Sequence, residues 1–188
     1  MPSELRLRLT AERLRDLLHY VPETGLFYRR VTRGNAALGV EAGHRRRDGY
    51  LTIRIDGFSY FAHRLAWLYV HGEHPLGVVD HANGKPGDNR IANLRDASRQ
   101  QSAWNREGWS TRAGFKGVSR ENNKWTAIIT VNRRKIRIGL YSTPQEAAAE
   151  YDEAARLYYG EFARTNAQIA ADHMKSNPDF HDSSPDAK

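Results

Sequence analysis

Residues 115–160 switch hydrophobic period within a short span, and that switch restricts what this part of the chain can fold into. Phe115–Ser119, Lys124–Asn132 and Lys135–Tyr141 read as three short strands, with side chains alternating between two faces. Thr143-Pro144-Gln145-Glu146 then opens a helix by two independent signals. Thr and Glu have capping-box spacing, and Pro sits at the first helical position. Ala147, Ala148, Tyr151, Ala154, Ala155 and Tyr158 recur on one face, and Gly160 is a good stop. Small residues on that face let a helix lie close to a sheet. Alternation places Trp125, Ala127, Ile129 and Val131 toward the helix, with Ile136 and Ile138. It places Lys124, Thr126, Ile128 and Thr130 outward, with Lys135 and Arg137.

Charge concentrates on the same segment. The chain carries 29 Lys and Arg against 22 Asp and Glu in 188 residues, a net +7. Residues 99–140 hold ten of those cations and only two acids, Glu107 and Glu121, so the rest of the chain is close to neutral. A second basic stretch runs through Arg29, Arg30, Arg33 and Arg45–Arg47. Basic and aromatic residues interleaved on strands point to a polyanionic partner, since Coulomb attraction and counterion release favour one. A merely solvated face is the alternative. Cysteine is absent, which excludes disulfides, a thiol nucleophile and cysteine-ligated zinc. The charged N-terminus lacks a signal-peptide core, and no apolar run reaches membrane-span length. A cytoplasmic protein without membrane association is expected.

The first half has a different grammar. Thr10 is a plausible cap for a helix over Ala11–Tyr20, with Leu14, Leu17 and Leu18 on one stripe. Leu26–Val31 and Tyr50–Ile55 read as strands, Asp56-Gly57 as a hairpin turn, Phe58–Phe61 as the return and Ala62–His71 as a helix. Val78–His81 is a short strand and residues 82–90 a polar loop broken by Gly84, Pro86 and Gly87. Ile91–Leu94 is extended, and Asp96 to about Asn105 can be helical. Residues 106–113 read as a linker, and 175–188 as a disordered tail with little apolar content.

Asp80 and His81 adjoin at the end of a strand, before the polar loop. A carboxylate suits a hard divalent cation and a neutral imidazole suits proton abstraction from water. Together they are the parts that metal-assisted phosphodiester cleavage needs. Taken alone, such a pair can equally be a structural hydrogen bond. The longer string alters the weighting. Ala62-His63-Arg64-Leu65-Ala66, Val79-Asp80-His81, Asn83-Gly84, Asp88-Asn89-Arg90 and Ala92-Asn93-Leu94-Arg95 resemble the HNH endonuclease family in its phage and mobile-element version. The resemblance implies a ββα-metal fold around one divalent ion, Mg²⁺ or Mn²⁺. It implies His81 as general base, Asp80 as metal ligand, and Asn93 as the residue bracing the loop and orienting the base. The family's third motif residue, a metal-binding His or Asn, falls on Ser102 here, with Asn105 three residues on along the same helical face. Either Asn105 or Ser102 through water would complete the site. His63 is expected to pack or hydrogen-bond, and Asn83 and Asn89 to form the loop.

Residues 114–166 closely resemble the AP2/ERF DNA-binding domain, three antiparallel strands on one helix. Gly117-Val118, Lys124-Trp125, Ile138-Gly139-Leu140-Tyr141, Glu146-Ala147-Ala148, Tyr151-Asp152, Ala154-Ala155 and Asn166 carry the match. In that family the sheet enters the major groove. The DNA-contact positions fall on Lys116, Ser119, Lys124, Ile128, Thr130, Lys135 and Arg137, with Thr126 on the same outward face. Several plant-type contacts are replaced, so the plant target sequence does not carry over.

The expected fold class is α+β: segment 1–61, a nuclease core over 62–105, the linker, and a DNA reader over 114–168. The expected protein is a phage-encoded or homing-type endonuclease acting on double-stranded DNA with one divalent metal and no small-molecule cofactor. One active site per chain favours nicking by a monomer, unless DNA brings two chains together. The rival is a DNA-binding regulator whose catalytic part has decayed, a reading that Ser102 keeps open. An RNA partner is disfavoured because A-form RNA hides the groove such a sheet would enter.

Overall fold

The computed structural model describes residues 9–32, 37–108 and 113–176. The chain divides into two compact units, residues 1–103 and 104–188. Both combine helices with antiparallel sheet, as the α+β class requires.

In the first unit Thr10 caps helix α1 (Ala11–Leu17), its side chain accepting the Arg13 N–H at 3.2 Å. The helix ends short of the expected Tyr20. Leu18–Val21 is instead strand β1, paired antiparallel with β2 (Leu26–Arg29). Leu18 and Tyr20 are buried while His19 is exposed, so the segment follows a period of two once it meets a partner strand. Strands β3 (His44–Arg45), β4 (Leu51–Ile55) and β5 (Phe58–Phe61) form a second sheet in that order. Asp56 and Gly57 turn between β4 and β5 with φ of 45° and 88°, the primed hairpin geometry. Helix α2 (Ala62–His71) follows at once and buries Ala62, His63, Leu65, Ala66 and Leu68. Leu14, Tyr20, Phe27, Ile53, Leu65 and Val79 belong to one apolar core.

Strand β6 (Val78–His81) pairs antiparallel with β7 (Leu94–Ala97), and a 3₁₀ turn at Ile91–Asn93 precedes β7. Helix α3 (Arg99–Trp104) starts three residues after the expected Asp96, because Asp96 and Ala97 complete the ladder opposite Val79 and Val78. The polar loop 82–90 between the two strands is held from outside. Tyr20 donates its hydroxyl to the Asn89 carbonyl at 2.7 Å, and the Ile91 N–H reaches the Pro22 carbonyl at 3.3 Å. Gly25, at φ +74°, lies so close that a Cβ there would sit 2.4 Å from the Arg90 nitrogen. The β1–β2 hairpin is therefore the rigid wall behind the loop.

In the second unit β8 (Val118–Glu121), β9 (Lys124–Val131) and β10 (Arg134–Tyr141) form a sheet with β9 central. Helix α4 (Pro144–Tyr159) carries the full capping box: the Thr143 side chain accepts the Glu146 N–H and Glu146 accepts the Thr143 N–H. Val118, Ala127 and Ile129 pack on Ala147, Ala148, Tyr151 and Ala155. Helix α5 (Asn166–Ser176), which sequence periodicity did not single out, is seated by buried Asp152, whose carboxylate accepts the Asn166 and Ala167 N–H groups at 2.7 and 3.0 Å. The expected linker is described at 106–108 and 113, and the expected tail only at Lys175 and Ser176, which close α5; the remainder of both lies outside the described residues. No helix among the described residues is long and apolar enough to cross a membrane.

Gly25→Ala should lower unfolding stability by about 1–3 kcal/mol through backbone strain. Tyr20→Phe should cost about the same by leaving the buried Asn89 carbonyl unsatisfied. Thermal unfolding of the full chain reads both. Unchanged midpoints in both variants would show that the loop does not lean on the hairpin.

Candidate functional site

The β6–β7 ladder sets Asp80 opposite Arg95 and His81 opposite Leu94. Asp80 and His81 are both buried. Asp80 Oδ2 accepts Arg95 Nε–H and one Arg95 Nη2–H, each at 3.0 Å, so a guanidinium partner neutralises the carboxylate. His81 Nε2 lies 3.2 Å from the Asn89 side-chain oxygen. Its ring packs edge-on against His63, with centroids 5.0 Å apart, and against Tyr50 at 5.9 Å. Burial lowers the His81 pKa, with Asn89, Asp80 and Asp88 opposing. At neutral pH the imidazole is therefore uncharged and able to accept a proton.

Asn93 makes two hydrogen bonds across the loop. Its amide nitrogen donates to the Asp88 carbonyl at 2.8 Å and its oxygen accepts the Asn83 N–H at 3.0 Å. The His81 ring itself is bonded by Asn89, which its sequence context marks as a loop former. Asn89 is 2% exposed and bonds the ring directly. The motif Asp88-Asn89-Arg90 was visible, but the contact spans eight residues and a loop. His63 Nδ1 is a buried side-chain nitrogen without a hydrogen-bond partner. Burial first, then the neighbouring His81 and Arg64, push the His63 pKa down to about 3.

Ser102 lies in α3, its N–H bonded to the Ser98 carbonyl at 3.0 Å. Asn105 is buried and belongs to the second unit. Among the described residues, no group of three or more His, Cys, Asp or Glu side chains is arranged to hold a metal ion. That donor set does not fit a structural zinc. It fits a hard ion such as Mg²⁺, which commonly takes one or two carboxylates and completes its shell with water and substrate phosphate. Asp80, the ligand that the family resemblance implies, is bonded to Arg95.

The second unit sorts its expected DNA contacts. Ser119, Lys124, Thr130, Lys135 and Arg137 are exposed on the sheet, and Ile128 is half-buried. Arg137 pairs with Glu121 at 3.1 Å. Two positions are corrected. Lys116 turns inward: its ammonium donates to the Trp104, Arg106 and Arg164 carbonyls at 2.7, 2.7 and 3.1 Å, and burial lowers its pKa to about 8. Thr126 is buried and donates to the Gly139 carbonyl at 3.2 Å. A β-bulge between Arg137 and Gly139 shifts the register there, so strict alternation fails.

Residues 60–103 match the family model described as HNH endonuclease. This segment of the chain carries the HNH pattern. A protein of Acanthamoeba polyphaga mimivirus named Uncharacterized HNH endonuclease L560 is 32% identical over 122 residues, 64% of this chain and 64% of its own length. Dehydration-responsive element-binding protein 2A of Arabidopsis thaliana is 45% identical over 60 residues, 30% of this chain and 18% of its own. Ethylene-responsive transcription factor ERN3 of Medicago truncatula is 41% identical over 78 residues, 38% of this chain and 33% of its own. The chain thus spans less than two thirds of each of these relatives. The HNH segment and a partial AP2/ERF likeness occur in one chain, as the residues implied.

Between pH 6.5 and about 3 the unfolded chain binds a proton that folded His63 refuses. Stability should therefore fall with acidification, by about 1.4 kcal/mol per pH unit per such group. His63→Phe keeps a ring and removes this titration, so its stability should fall more gently between pH 6 and pH 4. Urea titrations at several pH values test this. A slope equal to that of the unmodified protein would mean that His63 protonates freely.

Proposed function

We propose that the chain is a metal-dependent DNA endonuclease that hydrolyses a phosphodiester within its HNH segment, with the AP2/ERF-like sheet holding duplex DNA. The observation that carries this reading is the buried pair Asp80–His81 at the end of β6, with the imidazole held at Nε2 by Asn89. His81 is the general base: its neutral ring takes a proton from the attacking water. Asn89 fixes the ring's tilt, and His63 and Tyr50 limit its swing by packing on it. Asn93 keeps the loop closed against Asp88. Asp80 would hold the divalent ion, with Ser102 as a further donor through water. When bound, the ion supplies charge stabilisation at the scissile phosphate and the leaving oxygen. The products are a 5′-phosphate and a 3′-hydroxyl, and one site per chain makes a nick the simplest outcome.

On the sheet, Lys124 and Lys135 contact phosphates, and Arg137 contacts a phosphate or a guanine edge. Ser119, Ile128 and Thr130 line the surface between them. Lys116 and Thr126 are left out because their polar groups point into the fold. The sheet raises the effective concentration of DNA at the nuclease.

One observation favours a second reading, a DNA-binding protein without cleavage. Asp80 already has a cationic partner in Arg95, and Ser102 is a weaker donor than His or Asn.

Supercoiled plasmid with Mg²⁺ or Mn²⁺ separates the two. The endonuclease reading expects nicking that EDTA stops and His81→Ala reduces by about 100-fold or more, the scale of lost general-base catalysis. DNA binding with no cleavage by the unmodified protein would favour the second reading. Cleavage undiminished in His81→Ala would remove His81 from the mechanism.

A further inference from the structure

Most basic side chains near the Asp80–His81 pair are already matched. Arg95 pairs with Asp80, and Arg90 makes a two-toothed contact with Asp88 at 2.8 and 2.6 Å. Asp88 also accepts the Asn83 amide at 2.7 Å, and its carboxyl is held down at about 2, so it stays ionised beside its partner. Within the run Arg45–Arg47, Arg46 pairs with Asp48 at 3.1 and 3.2 Å and lies over the Phe61 ring.

Arg45 and Lys85 differ. Neither has an acidic partner among the described residues, and both line one open recess of about 360 Å³ with Pro86, Gly87 and Asp88. Arg45 is the last residue of β3 and is exposed. Its guanidinium lies against the loop backbone: a Cβ on Gly87 would come within 2.7 Å of Nη1 and 3.2 Å of Nη2. Gly87 is what lets the cation come that close. The Asp88 charge on the recess wall is cancelled by Arg90, which leaves two cations facing one opening. A forked donor and a point charge converging there have the chemistry of a phosphodiester site.

We propose that Arg45 and Lys85 form a phosphate-binding subsite for a non-scissile phosphate of the DNA backbone, separate from the Asp80–His81 pair. The loop ties the two together. Asp88 is followed by Asn89, which holds the His81 ring, so a phosphate gripped by Arg45 and Lys85 against this loop sets the register of the strand against the base. This rests on the reading of DNA as substrate and adds a positioning contact to it.

The test uses the full chain, duplex DNA and three variants: Arg45→Gln, Lys85→Gln and Gly87→Ala. The last leaves both charges in place and only pushes the guanidinium aside. Binding is measured in EDTA across a salt series, and nicking under metal. Each Gln variant should weaken DNA binding several-fold and reduce the magnitude of the log–log salt slope by about 0.9 per lost contact. Under metal, each should raise KM more than it lowers kcat. Gly87→Ala should move in the direction of Arg45→Gln. Arg156→Gln, which breaks an exposed pair with Glu153 on α4, is the control and should change neither. Salt slopes unchanged in both Gln variants would overturn the proposal, whether or not the unmodified protein cleaves. No cleavage by the unmodified protein, with the slopes shifted as expected, would overturn the nuclease reading and leave the subsite standing. Inorganic phosphate is the remaining arm. A phosphate response lost in the variants while their DNA slopes stay unchanged would assign the recess to a free anion and overturn the proposal.

Discussion

Asn89 takes the Tyr20 hydroxyl on its backbone oxygen at 2.7 Å and lies 3.2 Å from His81 Nε2 through its side chain. Loop 82–90 has too little apolar surface to be held by burial, so hydrogen bonds must hold it. A buried amide left without partners costs about 1–3 kcal/mol, which makes each bond to Asn89 matter more than its net gain suggests. The consequence runs in one direction. The core fixes Tyr20, Tyr20 fixes the loop, and the loop fixes the His81 ring. Gly25 belongs to this chain of dependence because its lack of a side chain lets the β1–β2 turn touch Arg90.

The electrostatics of the first unit follow from the same burial. Asp80 is 7% exposed, and an unmatched carboxylate there would be costly. Arg95, directly across the ladder, meets that cost within the strand pair. His81 is treated differently. Burial among His63 and Tyr50 disfavours its charged form. Two adjacent residues thus have different surroundings, one facing a guanidinium and the other packed among rings.

Much of this was readable in the residues, and the parts that were not share a cause. The capping box at Thr143, the Asp56-Gly57 turn and the Ala/Tyr face of α4 are local signals, and local physics decides them. The helix expected through Tyr20 stopped at Leu17 because pairing with β2 rewards alternation in the next four residues. Asp96 and Ala97 became strand for the same reason. At the site, Asp80 and His81 stood out by type and adjacency. Asn89 did not, since its role depends on a fold that brings it back onto the ring. Thr126 was placed on the wrong face because a bulge on a neighbouring strand cannot be seen from the alternation of its own.

A count of basic residues overstates the surface offered to a polyanion, and the structure sharpens it. Of the ten cations between residues 99 and 140, Lys116 is enclosed by carbonyls, Arg137 is paired with Glu121, and Arg120 lies over Trp125. Arg133, Arg134 and Lys135 cluster at the tip of the β9–β10 hairpin, where Asn132 and Arg133 take φ of 49° and 65°. A primed turn of this kind continues the twist of its strands and holds those three charges at the end of a β-ribbon. The major groove is wide enough to admit a β-ribbon. The first unit repeats the pattern on a smaller scale: Arg46, Arg90 and Arg95 are matched, and Arg45 and Lys85 have no acidic partner among the described residues. In both units some cations have no carboxylate partner among the described residues, Lys135 in one and Arg45 and Lys85 in the other.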